Sequence, residues 1–177
     1  MEFFALSASV TIGIILILAS VSKLFNLKGF IFVIRLLNLF SRNLSILIGI
    51  LVPVIELTLG LCFIFGIYIK LAAAFSFFLF IVFILLNLYA INTGKDISCN
   101  CYGKLLNTQM GIGGVLHNLI LAPCSLIVLI WGDMTLFQFN AEINLIDIFI
   151  YILLPSFVLI YTCLTVYKIN FTYLKGL

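Results

Sequence analysis

The stretch from Leu44 to Ile69, "LSILIGILVPVIELTLGLCFIFGIYI", runs for 26 residues with a single charged side chain, Glu56. A helix needs about 20 apolar residues to cross a bilayer, and a longer run crosses with tilt. Four further runs have the same character: Phe3 to Ser22, Leu71 to Ile91, Val115 to Gly132 and Ile143 to Tyr167. Lipid offers backbone groups no partners, so each run is expected to be helical. The fold class expected is therefore all-α, a polytopic membrane helical bundle of four to five transmembrane helices. The run Val115 to Gly132 is the shortest and leaves that number open.

Composition excludes the soluble alternative. The chain is 65% hydrophobic and 8% charged, against roughly a quarter charged in a soluble domain. The 18 Phe residues suit lipid-facing surface. The net charge of +3 comes from bases that flank the apolar runs. They read as topology signals and headgroup contacts, so a lipid bilayer is the expected partner and nucleic acid is not. The N-terminus "MEFFALSASV" has no basic region ahead of its apolar run, so it reads as a first span rather than a cleaved signal peptide.

The connections differ in kind. "KLFNLKGFIFVIRLLNLFSRN" places Phe30, Val33, Ile34 and Leu37 at helical spacing, which predicts a short amphipathic helix lying in the interface. The connection at Lys70 is minimal and predicts an antiparallel hairpin of the second and third runs. Residues 92–114 form a polar, Gly-rich loop, and "DMTLFQFNAE" is acidic. The whole of 1–177 reads as one integral membrane domain. Eight of the nine Lys and Arg residues fall on one side of a five-span arrangement, with Lys70 on the other. The charge rule then places loop 92–114 in the cytoplasm.

That loop carries "DISCNCYGK", with Cys99 and Cys101 one residue apart. A Cys-x-Cys disulfide closes a small strained ring, and strain makes the bond labile and suited to exchange. Gly103 supplies backbone freedom and Lys104 favours a thiolate. An exchanging dithiol and two ordinary free thiols both remain open on spacing alone. Zinc is a third reading, through Cys99, Cys101, His117 and Cys124. Two helical turns, roughly 10 Å, separate His117 from Cys124, too far for one ion, so no metal site is expected. His117, beside Asn118, otherwise reads as a polar residue at the membrane interface.

Glu56 is costly where it lies and is expected to face the bundle with a partner. Pro53, Glu56 and Gly60 share one helical face, and Lys23, ending the first run, is the expected partner. A structural buried pair and a proton-coupling carboxylate are both open. Asn87 is expected to hydrogen-bond to another helix. Cys62, Cys124 and Cys163 lie inside apolar runs and read as small hydrophobes, with a thiol relay across the membrane as the sharper alternative.

The segments "ASVSKLFNLKGF", "VPVIELTLGLCFIFG" and "CNCYGKLLNTQMGIGGVLHNLILA" together resemble the methylamine-utilisation protein MauE and the broader DoxX-like redox-associated membrane proteins. Lys23, Pro53, Glu56, Gly60 and the Cys-x-Cys pair stand in that family's pattern. Tyr102 stands where Phe is usual, and His117 precedes Asn118 where Arg is common. The resemblance implies thiol–disulfide exchange during maturation of exported proteins. Cys99 and Cys101 would be catalytic; Lys23, Glu56, Lys104, His117 and Asn118 would support them. It implies a thioredoxin-like or exported disulfide-containing partner, a bacterial plasma (inner) membrane location, and a quinone as a conceivable cofactor. A thiol–disulfide oxidoreductase would result; a non-enzymatic scaffold or maturation chaperone, and a small proton-coupled transporter using Glu56, are the alternatives. Exported disulfides form outside the cytoplasm, whereas the charge rule puts the loop inside, so the side it faces stays open.

Overall fold

A computed structural model of the chain describes residues 2–93, 98, 99, 108, 109, 112–132, 157 and 161. Five helices follow in order: α1 Glu2–Phe25, α2 Leu27–Leu36, α3 Arg42–Phe65, α4 Ile69–Asn92 and α5 Ile112–Trp131. Strands β1 Ser98–Cys99 and β2 Thr108–Gln109 form a two-residue antiparallel ladder between α4 and α5. Four of the helices are long and apolar enough to cross a membrane. The protein is thus an all-helical, multi-pass membrane bundle. The expected fifth span, Ile143 to Tyr167, lies outside the described residues except for Phe157 and Tyr161, both helical.

Local chemistry sets the helix ends. Gly66 adopts φ 72°, and its amide and that of Ile67 both donate to Cys62 O, which stops α3 at Phe65. Tyr68 follows at φ 49°, and α4 starts at Ile69. The hairpin turn is therefore 66–68, and Lys70 belongs to the first turn of α4 rather than to the connection. Asn38 at φ 55° separates α2 from α3, a conformation Asn tolerates well. The short fourth run gains a turn, because α5 begins at Ile112.

Helix α1 is the hub, packing against α3, α5 and α2, while α4 packs mainly on α5. Within lipid, apolar burial gives little reason for helices to associate, so close approach and polar contacts must do so. The sequence of α1 supplies both: Ser7, Ala8, Ser9, Thr11, Ala19 and Ser20 are buried. Gly13 and Gly60 bring α1 and α3 nearly into backbone contact. A Cβ on Gly60 would sit 2.7 Å from Ile17 Cγ1 and 3.0 Å from Gly13 O. Ser20 Oγ donates to Pro53 O at 2.7 Å, fixing the antiparallel register one further step along. Leu47, Leu51, Val54, Phe75, Phe78 and Leu119 point outward, as lipid-facing positions should.

The expected short amphipathic helix forms as α2. Phe30, Val33, Ile34 and Leu37 do form one face of α2, but that face is buried in protein. Val33 and Leu37 pack on Ala90 of α4, and Ile31 fits against Gly49 of α3. The missing side chain at Gly49 makes room for a protein contact that outcompetes lipid for the apolar face.

Gly60→Leu is expected to lower bundle stability by about 1–3 kcal/mol through overpacking. Denaturant titration in micelles followed by circular dichroism checks this, and an unchanged midpoint would contradict the close-contact account.

Candidate functional site at the polar end of the bundle

The register of α1 and α3 decides what meets Glu56. Gly13 lies against Gly60 and Ser20 against Pro53, so Glu56 is about level with Ile17. Lys23 is six residues farther along, about 9 Å up the axis. Side chains lean toward the N-terminus of their own helix. In an antiparallel pair these two therefore lean toward each other and close the gap. Lys23 Nζ donates to Glu56 Oε1 in an ion pair, with both side chains almost fully buried. The ammonium also faces Phe83 of α4 at 4.9 Å and Phe30 of α2 at 5.4 Å from the ring centres, geometry that stabilises a cation. Glu56 Oε2 is buried with no hydrogen-bond partner among the described residues.

A cavity of about 90 Å³ lies beside the pair. Its polar lining is Lys23, Glu56, Asn87, His117 and Asn118, each less than a tenth exposed. The rest is apolar and draws on α1 to α5, including Leu16, Phe30, Phe80 and Leu121, with Phe40 between α2 and α3. Helix α5 delivers His117 and Asn118 to it because the early start at Ile112 carries both residues more than a turn into the bundle. His117 is thus buried inside the protein.

Asn87 also departs from expectation. Its Nδ2 donates within its own helix to Phe83 O at 2.8 Å. Its part in helix pairing is steric, since its side chain rests against the bare Cα of Gly114. Asn118 Nδ2 likewise bonds within α5, to Gly114 O at 2.7 Å. Gly114 therefore lets α4 and α5 approach while one Asn covers it and another satisfies its carbonyl.

Cys99 lies in β1 opposite Thr108, and β1 packs beside α2. Strand, α2 and the buried polar residues share the end of the bundle where α1 and α4 finish. Cys101 and Lys104 lie outside the described residues, as does Cys163. Cys62 and Cys124 are free thiols packed against the main apolar cluster.

The family described as "Methylamine utilisation protein MauE" matches residues 1–132 of the 177, spanning helices α1 to α5 and the Cys-x-Cys loop. The chain belongs to the MauE family. No curated protein and no solved structure matches it. In this MauE-family chain the sequence pattern found the Lys23–Glu56 pair but not its aromatic surroundings. Phe30 and Phe83 come from two other helices, and no local spacing marks them among so many Phe residues.

Lys23→Met alone strands a buried carboxylate and is expected to cost about 3–5 kcal/mol. The double change Lys23→Met with Glu56→Met is expected to recover most of that loss. A thermodynamic cycle from unfolding in micelles reads the coupling, and additive single effects would show that the pair is not energetically coupled.

Proposed function

We propose that this MauE-family protein carries out thiol–disulfide exchange for the maturation of exported proteins, using Cys99 and Cys101 with a thioredoxin-like or exported disulfide-containing partner at the bacterial inner membrane. The observation that carries the reading is a Cys-x-Cys pair in the α4–α5 loop of a chain whose family match covers that loop. The pairing of Cys99 with Thr108 supports it, because a ladder restrains the backbone that presents the pair.

In the proposed reaction a thiolate of the pair attacks the partner's disulfide. The partner's S–S bond breaks as a mixed disulfide forms, and one partner sulfur leaves as thiolate. The second cysteine then attacks the mixed disulfide. The Cys99–Cys101 bond forms, and the partner departs as a dithiol after taking up two protons. The same steps reversed oxidise the partner. Lys104, three residues beyond Cys101, favours the attacking thiolate by its charge. Lys23, Glu56, His117 and Asn118 support the bundle that holds the loop.

The rival reading, a proton-coupled transporter, has the burial of Glu56 in its favour. Its ion pair with Lys23 favours the structural role.

Single Cys99→Ser and Cys101→Ser variants are expected to trap a partner as a mixed disulfide on non-reducing gels. If neither traps one and the wild-type pair stays reduced in cells, the exchange reading fails. If Glu56→Gln abolishes activity while the cysteine variants keep it, the transporter reading replaces it. A membrane-impermeant thiol reagent applied to intact cells is expected to label Cys101 from outside, where exported disulfides form. Labelling only after lysis would place the loop in the cytoplasm.

A further inference from the structure

The strand that carries Cys99 has a charged neighbour. β1 packs beside α2. Its ladder with β2 has two strands, so each strand keeps one edge without a ladder partner. Open edges are not stable against lipid chains. The strand, with the flank of α2 beside it, therefore belongs at the membrane surface, where a water-soluble protein can reach it. Helix α2 turns Phe30, Ile34 and Leu37 toward the cavity. Lys28, Phe32 and Arg35 stand at i, i+4 and i+7 on its opposite side. Lys28 and Phe32 are exposed and Arg35 is half-buried. Arg42, which opens α3, is exposed as well.

These bases have no counter-charge of their own. Among the described residues none of Lys28, Arg35 and Arg42 has an ion pair, and Arg35 Nε is buried with no acceptor there. From Phe3 to Lys95 the only acidic residue is Glu56, and Lys23 already holds it inside the bundle. The loop adds Lys95 and Lys104 against Asp96. Lys28 and Arg35 are about 10 Å apart along the helix axis, so the stretch between them lies within about 5 Å of one or the other along that axis. Exchange needs sulfur-to-sulfur contact, so a partner that reaches Cys99 also meets α2. Carboxylates around the partner's disulfide are drawn in by the bases, and ammonium groups there are repelled.

We infer that the outward side of α2, with Arg42 at the start of α3, is the docking surface for the exchange partner, and that the partner's matching surface carries carboxylates around its disulfide. The inference rests on the exchange reading above and names the partner chemistry of that same site.

The test uses two small disulfides of opposite charge, oxidised glutathione, a net anion, and cystamine, a cation. Each meets the pair by the same steps. A protein thiolate breaks the S–S bond and releases one half as thiolate; the second cysteine then releases the other half as the Cys99–Cys101 bond forms. The reduced full-length protein, in nonionic micelles at low ionic strength, is mixed with either compound and the loss of protein thiols is followed. The ratio of the glutathione rate to the cystamine rate is expected to fall about fivefold in Lys28→Glu with Arg42→Glu. The conservative pair Lys28→Arg with Arg42→Lys is expected to keep the wild-type ratio. At about 1 M salt, where the screening length is about 3 Å, the wild type and the charge-reversed variant are expected to agree. Their difference at low salt is expected to persist in vesicles holding about a third phosphatidylglycerol, an anionic lipid. An unchanged ratio in the charge-reversed variant would overturn the docking surface and leave the exchange reading standing. A difference that vanishes in the vesicles would show that lipid headgroups hold the bases, and would overturn it too. Thiol loss no faster in the wild type than in Cys99→Ser with Cys101→Ser would overturn the exchange reading, and the docking surface with it.

Discussion

A lysine and a glutamate in the interior of a membrane bundle constrain everything around them. Each alone would carry a desolvation cost of several kcal/mol or more, and only a close partner offsets it. Lys23 and Glu56 meet because two antiparallel helices tilt their side chains toward each other. A slip of one residue along α1 would turn Lys23 about 100° away from α3. The pair therefore rewards one register, and the Gly13–Gly60 contact and the Ser20–Pro53 hydrogen bond fit that same register. The small residues of α1 follow from this requirement. A helix that must sit close enough to share an ion pair cannot carry bulky side chains on the shared face.

The cavity is a consequence of the same arrangement. Helix α3 packs mainly on α1 and α4 mainly on α5, and the two touch each other less. Helix α2 covers the cavity with Phe30, Ile34 and Leu37, and Ile31 seats it on Gly49. The cover does not fill the space beneath it. The polar groups that α1, α3, α4 and α5 place there are kept from bulk water, and their surroundings become a lining with a polar floor and an apolar rim.

Much of this was legible in the chain, and what was not has a common cause. Run length revealed the four described spans, since the bilayer sets that length independently of packing. Helical spacing put Pro53, Glu56 and Gly60 on one face, and all three are buried there. The cost of a lone carboxylate pointed to Lys23. The errors concern which surface a residue meets. The apolar face of α2 suits lipid and protein equally well, and Gly49, in another helix, settles the choice. Asn87 carries the groups for an interhelical hydrogen bond, but the bare Cα of Gly114 leaves it a steric role. His117 faces protein because α5, starting a turn earlier than its apolar run, packs it into the cavity wall. Spacing within one helix does not encode the neighbour across from it.

The charge distribution looks different once Lys23 is accounted for. Among the described residues the bases at the cysteine end are Lys23, Lys28, Arg35 and Arg42, against Lys70 at the other. Lys23 is committed to Glu56 inside the bundle and meets no headgroup. Of the three that remain, Lys28 and Arg35 lie on α2 and Arg42 opens α3, with Lys28 and Arg42 exposed. The orientation signal of the described region thus lies on α2 and at the start of α3. The ten-residue helix α2 holds an apolar face against the bundle, and its outward side carries Lys28 beside the exposed Phe32. The strand carrying Cys99 packs beside it. The bases Lys28 and Arg42 therefore flank the helix that covers the cavity and that packs beside the cysteine strand.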